Sequence, residues 1–421
     1  MKLLARQILV LWGVVSLVAC SSGILTPIAT VEELRKTPTP TLVTLPVIPT
    51  LTSEVVEPAI TPDSSIEKKC PTWLPNFDST FMSTGTLLFG RSGQSAGQWA
   101  LNSGHSEPIP LIQNSRIWGN VVISPDGQWM AYVEGETSPQ TITITAPNGK
   151  LIASLPWDEK WGSLDSWFTN DWLRLLPLDA PPFSMTLVSP WTGEVKFLNP
   201  NLPDPDPNGE GNYGRVTFSP DLTRVVYMML DRVSLQSRFV LWDLEKNQTL
   251  WYSNYDIRST HAMFSFPVWS PDGEKFLITD QHPNDREGQA FLQDLFVISR
   301  DGQIIRSTYL RDDFPSHQIG LQSKWSPDSK TIAFWVLGSN TVDRRPYQLF
   351  VFRPDTGKVA DLCIENNDSP AMVWSPDSQQ IAAVMGEPNK THLAIIDLEN
   401  AKALEVLPQE NVALVGWANI P

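Results

Sequence analysis

The chain has 421 residues, only 18% of them charged, and is rich in proline (36) and tryptophan (17). That mix suits short strands joined by many turns rather than helices, which favour Ala, Glu, Lys and Leu. The length fits an all-β ring or barrel, which exceeds ordinary domain size as one unit. The formal net charge is −15, with Lys and Arg scattered along the chain. This argues against nucleic acid, whose phosphate backbone needs a basic patch, and against anionic lipid headgroups as a partner of the folded body.

At the N-terminus, Lys2 and Arg6 precede the apolar run from Ile8 to Ala19. The run is too short for a bilayer core, which needs roughly 20 apolar residues, and matches the hydrophobic region of a secretory signal. It ends Leu17-Val18-Ala19-Cys20, which resembles the bacterial lipobox. The resemblance implies a lipoprotein signal peptide over residues 1–19 and a diacylglyceryl group on the Cys20 thiol. The protein would then be exported and anchored on the extracytoplasmic face of a bacterial membrane. Ser21 and Ser22 follow, so the aspartate that some envelope-sorting systems read after the cysteine is missing. The plainer reading is an ordinary signal peptide with an incidental Cys20.

Residues 20–69 form a Thr/Pro-rich linker, as in Thr37-Pro38-Thr39-Pro40-Thr41. Its proline density prevents regular ladders, and as polyproline II it could reach on the order of 150 Å. The remaining cysteines are Cys70 and Cys363. In an oxidising compartment they either pair, tying the leading segment to a late part of the fold, or remain two free thiols.

Residues 70–421 repeat. Ser124-Pro125-Asp126, Ser219-Pro220-Asp221, Ser270-Pro271-Asp272, Ser326-Pro327-Asp328 and Ser375-Pro376-Asp377 share one setting. A short apolar strand precedes each, ending in Ile123, Phe218, Trp269, Trp325 and Trp374, and another strand follows. The first spacing is 95 residues and the others are 51, 56 and 49. A degenerate copy, Trp167-Phe168-Thr169-Asn170-Asp171, lies mid-way in the long gap. A period near 50 with four strand-like segments marks a propeller blade. Proline presets a type I turn, Asp and Ser cap its backbone donors, and Gly127 and Gly273 accept a positive φ. The terminal Trp fills the space between blades. Asn148-Gly149, Thr192-Gly193, Asp301-Gly302 and Thr356-Gly357 signal the hairpins further out in each unit.

The motifs open six units, and strands around Thr86–Phe89, Gln98–Leu101 and Pro108–Ile112 supply a seventh that lacks its inner strand. The last segment, Val412 to Trp417, reads as that missing strand. The expected fold is therefore an all-β, seven-bladed propeller of four-stranded blades, with six or eight blades as the alternatives, closed by its C-terminal strand, which removes exposed sheet edges. The Trp-Ser-Pro-Asp-Gly repeats resemble the WD40-like (PD40) repeats of the TolB-type propeller and of the propellers attached to prolyl oligopeptidases. The resemblance covers roughly residues 80–421. The shared residues are turn and core residues, so it implies fold rather than activity. The chain has neither TolB's extra N-terminal domain nor an α/β-hydrolase domain, so no peptidase role is implied.

Candidate chemistry is sparse. Gly93-Gln94-Ser95-Ala96-Gly97 matches a nucleophile elbow, but that device needs a strand-to-helix turn above a parallel sheet; here it reads as a flexible hairpin loop. Asp204-Pro205-Asp206-Pro207-Asn208-Gly209 reproduces the first half of a calcium loop. Arg215 stands where the bidentate Glu belongs, so Asp204, Asp206 and Asn208 form a weak calcium candidate. No cofactor is otherwise expected. Eight residues before each inner-strand end lie Ser115, Glu159, Glu210, His261, His317, Asn366 and Gln409, all polar. These loops should ring one mouth of the central channel, with His261 and His317 in neighbouring blades.

Two functions follow. The first is a monomeric, non-enzymatic module on a lipid tether that binds an envelope protein, peptide or glycan. The alternative is a metal-assisted lyase or hydrolase built on the His261/His317 mouth. An enzyme needs further ligands or a base of perturbed pKa there, whereas a binding module presents an exposed aromatic patch.

Overall fold

The structure, a computed structural model, describes residues 66–75, 81–82, 84–91, 97–103, 107–112, 117–135, 140–176, 184–200, 202, 212–231, 236–253, 257–258, 267–280, 293–310, 317–319, 322–338, 346–366, 371–387, 390–406 and 412–419. They form seven sheets, one per blade of a propeller, each antiparallel within its blade. The second blade is typical. Ile117–Ile123 is innermost, followed outward by Met130–Glu134, Thr141–Thr145 and Leu151–Pro156. The C-terminal strand Val412–Ala418 pairs antiparallel with Thr86–Arg91 and so supplies the innermost strand of the first blade.

The cores lie between blades because each strand alternates its side chains across the sheet. Leu87, Phe89 and Leu101 pack toward the seventh blade, while Leu88 and Ala100 pack toward the second. Seven such clusters, one at each junction, are present among the described residues. Phe276, Phe334, Phe350, Phe352 and Trp335 are fully buried within them. Each buried apolar side chain of this size contributes about 1.5–3 kcal/mol.

The repeated turn works as the sequence suggests, with one addition. In the fifth blade Ser270 Oγ donates to Asp272 Oδ1 (2.5 Å) and accepts from the Lys275 N–H (3.0 Å), while Asp272 Oδ1 accepts from the Glu274 N–H (3.1 Å). The same bonds recur at Ser124, Ser219, Ser326 and Ser375. The residue after Asp has positive φ in all five turns, yet it is glycine only at Gly127 and Gly273 and otherwise Leu222, Ser329 and Ser378. A left-handed non-glycine residue costs about 1–2 kcal/mol. For the two serines the structure shows a return: Ser329 Oγ accepts from the Asp272 N–H (3.2 Å) and Ser378 Oγ from the Asp328 N–H (3.1 Å), each stapling the preceding blade.

The tryptophans that end the innermost strands also do more than fill space. Trp167, Trp269, Trp325 and Trp374 donate their indole N–H to the carbonyls of Val122, Thr217, Val268 and Lys324 respectively. Each acceptor sits one residue before the corresponding strand end of the preceding blade. The indoles thus fix the rotation of one blade against the next. Trp417, on the closing strand, donates instead to Thr84 O (2.9 Å). Gly127 is close-packed at this seam: a Cβ there would lie 2.5 Å from Asn419 N.

The boundary at residue 70 needs correction. Glu67–Lys68 pairs in parallel with the outer strand of the sixth blade, Lys358–Asn366, and Thr72–Leu74 pairs in parallel with that of the seventh, Lys402–Val406. The leading segment is therefore a strap across two blade edges that starts inside the stretch expected to be linker. Between its two short strands, Cys70 is disulfide-bonded to Cys363. Cys363 sits at a bulge in its strand, with φ 52°, and its N–H donates to Asp361 Oδ1 (2.7 Å).

Candidate functional site

Antiparallel pairing gives the ring two dissimilar faces. Turns joining the first to the second strand, and the third to the outer strand, gather on one side, the turn face. The longer connections, including those between blades, gather on the other, the loop face. Of the polar residues expected at the channel mouth, the described ones, Glu159, His317 and Asn366, lie at loop-face ends of their strands or between them. Glu159 is exposed in a short 3-10 turn, Glu159–Trp161, capped by the Asp158 carboxylate, which accepts from the Lys160 N–H (3.0 Å). His317 begins the strand His317–Ile319, whose partner is Val336–Gly338 in the next strand of its blade.

Asn366 does not lie in an inter-blade loop. It is the last residue of the sixth blade's outer strand, is 1% exposed, and donates from Nδ2 to Val384 O (2.8 Å) in the seventh blade. Ser115, Glu210, His261 and Gln409 lie outside the described residues, as do Cys20, the elbow-like loop around Ser95 and the calcium candidates Asp204, Asp206 and Asn208. Among the described residues no group of three His, Cys, Asp or Glu side chains is placed to share a metal ion.

The loop-face end of the fifth blade is held by buried polar groups. Asp294 Oδ1 accepts from Thr308 Oγ1 (2.7 Å) and from the Leu310 N–H (3.0 Å), and Gln293 Oε1 accepts from the Ile319 N–H (3.2 Å). The last of these bonds ties the fifth blade to the strand His317–Ile319. On the innermost strands, Lys324 takes a position that the other blades give to Gly416, Val122, Ser166, Thr217, Val268 and Val373. It rises from the same sheet face as its cross-strand partner Ala333, a member of the core between the sixth and seventh blades. Burial pushes its ammonium pKa down.

The most developed surface feature is on the turn face of the second and third blades, and the sequence reading did not single it out. Trp191, in the hairpin between Met185–Val188 and Val195–Leu198, lies edge-on to Trp129 of the second blade, with centroids 5.5 Å apart at 67°. It is tilted over Trp167 at 6.2 Å. Its indole N–H donates to Asn170 O (3.1 Å), and Asn170 Oδ1 accepts from the Asp126 N–H (3.1 Å). Trp191 is nevertheless 39% exposed, and Phe197 on the adjacent outer strand is 66% exposed. Next to it Lys196 Nζ stands 4.0 Å above the Trp172 ring. The result is a packed aromatic surface whose Trp191 and Trp167 N–H groups are already satisfied, so that what Trp191 exposes is ring face and edge.

A different arrangement occupies the same face between the fourth and fifth blades. Arg300, in the fifth blade's outer hairpin, donates to Asp221 Oδ2 (2.8 Å), Thr223 Oγ1 (3.1 Å) and Glu274 Oε1 (3.1 Å). Burial alone would raise the Asp221 pKa. Hydrogen bonds from Ser219, the Thr223 N–H and Arg300 outweigh it and hold the carboxyl well below the usual range.

No protein-family model matches the chain, and no curated protein matches it in sequence. Solved structures do. TolB from Acinetobacter baumannii is 16% identical, with 80% of this chain and 67% of that one aligned and a TM-score of 0.40. An oligogalacturonate lyase in complex with manganese is 13% identical over 78% of this chain and 86% of that one, with a TM-score of 0.48. A protein from Lactobacillus plantarum is 11% identical over 80% of this chain and 100% of its own, with a TM-score of 0.46. These are likenesses of fold, and the seven-bladed ring rests on the strand pairing described above.

Proposed function

We propose that the protein is exported, anchored through a lipid on Cys20, and uses its propeller as a non-enzymatic module that binds an envelope protein, peptide or glycan. The anchor rests on the charged n-region, the short apolar run and the Leu17-Val18-Ala19-Cys20 ending. The binding role rests chiefly on one observation, the packed, partly exposed Trp129–Trp191 pair on the turn face. Immobilised aromatic side chains are the common anchors of interfaces because they lose little entropy on binding.

Two measurements test this. Cys20→Ser should abolish fatty-acid labelling and move the protein from the membrane to the soluble fraction; unchanged membrane association would overturn the anchor. An affinity pull-down from a solubilised envelope fraction should recover a saturable partner with the propeller as bait. Recovery of nothing above background from envelopes containing the native protein would overturn the module.

A further inference from the structure

We propose that the turn face of the second and third blades is the docking site of a protein segment that presents arginine. The inference rests on the interaction-module reading and names the chemistry of its partner. It comes from comparing two hairpins of the same ring. In the fifth blade, the Gly302 N–H closes onto Ser299 O (2.9 Å), and Arg300 inside the hairpin reaches back to the carboxylate of the preceding blade's repeated turn, Asp221. In the third blade, the Gly193 N–H closes onto Ser189 O (2.9 Å), and the residue inside the hairpin that packs on the preceding blade is Trp191. The chain thus fills the cation position above Asp221 with its own arginine and puts an indole beside the equivalent Asp126.

Asp126 Oδ1 is engaged by Ser124 Oγ (2.6 Å) and the Gln128 N–H (3.0 Å). Among the described residues no cation pairs with Asp126 or with the exposed Asp171, which follows Asn170. The two nearby carboxylates that are paired, Asp165 with Arg174 and Glu194 with Lys196, bring their own cations. What remains is net negative charge, from Asp126 and Asp171, at the rim of an aromatic surface. That is the complement of a guanidinium, which stacks on an indole while its N–H groups fork onto a carboxylate. The same chemistry is already used next door, where Lys196 lies over Trp172. A protein of net charge −15 would also steer such a partner in from a distance.

The test is titration of the purified propeller with an acetylated, amidated peptide of alternating glycine and arginine, followed by calorimetry and tryptophan fluorescence. The expected result is saturable binding that weakens with salt, exceeds that of the glycine–lysine peptide, and vanishes for the glycine–glutamate peptide. Trp191→Ala and Asp126→Asn should each weaken it about threefold to fivefold, and Tyr252→Ala, at an exposed aromatic on the fourth blade's outer strand, should leave it unchanged. Asp171→Asn, at an exposed position, serves if Trp191→Ala fails to fold. Equal binding by wild type and variants, or no binding at millimolar peptide, overturns the proposal. An envelope partner captured equally by wild type and Asp126→Asn would sink this site while leaving the module reading intact.

Discussion

Replacing both cysteines of the strap, Cys70→Ser with Cys363→Ser, separates what the disulfide does from what the strap's pairing does. The bond closes a loop of 293 residues in sequence separation, nearly the whole ring. The chain-entropy relation for so long a loop gives about 5–6 kcal/mol at 25 °C, above the 2–4 kcal/mol usually measured. Apart from buried Pro71 and the partly buried Ile66 and Leu74, which pack on neighbouring cores, the strap is held lightly. Glu67 and Lys68 are exposed, Trp73 is 43% exposed, and only five residues pair in parallel with the blade edges. Without the bond the strap should fray from the native ring, recovering some entropy there and bringing the net loss to about 3–4 kcal/mol. For a ring of roughly 350 residues that is a fall in Tm of about 4–6 °C. Calorimetry reads the shift, and amide exchange reads the fraying directly. The N–H groups of Lys69 and Thr72, bonded to Asp361 O and Ala401 O, should lose protection while those of the innermost strands keep it. A Tm within 1 °C of wild type with Lys69 and Thr72 still protected would refute the reasoning.

Other perturbations test other parts of the ring. Trp325→Phe removes the indole donor to Val268 O and keeps an aromatic ring, so it should cost about 1–2 kcal/mol in denaturant unfolding. Asp221→Asn should remove an acid-dependent part of the stability. The folded pKa of this group lies below its unfolded value, so its contribution is present above about pH 4 and is lost as pH falls further. The wild type's stability advantage over Asp221→Asn should therefore shrink steadily as pH falls from 4 to 2, and parallel unfolding curves across that range would contradict this. Lys324→Met should raise Tm, because burial of the ammonium opposes its charged form and no acid among the described residues pairs with it; a lower Tm would show that the charge is satisfied.

Most of the scaffold was legible because its signals are local. Ser, Pro and Asp fix each turn within five residues, and the Trp that ends a strand sits beside them. The closing strand could be placed because the first unit lacked an inner strand and the last had one to spare. What escaped needed distance information. Glu67-Lys68 is too short for a period to show, so the start of the strap fell inside the stretch read as linker. Asn366 was misplaced because the sixth blade's outer strand runs for nine residues and bulges at Cys363, so the count back from Trp374 ends inside a strand. Ser329 and Ser378 lack the expected glycine because each hydroxyl is engaged by the neighbouring blade. The Trp129–Trp191 pair joins residues of different blades, and its only local sign was a tryptophan inside a Pro-Trp-Thr-Gly hairpin, where small polar residues are the rule.

The direction of the strap has a mechanical consequence. Its strands run parallel to the outer strands of the sixth and seventh blades, so Ile66 lies toward the turn-face end of the sixth blade's outer strand. A force pulling at that point first loads the pairing of Glu67, Lys68 and Lys69, and then meets the covalent link at Cys70. The load passes there into the body of the sixth blade. Neither Thr72–Leu74 nor the closing strand Val412–Ala418 lies in its path. Tension applied at Ile66 is thus taken up by a strand locked among its neighbours and does not reach the seam where the two ends of the sheet system meet.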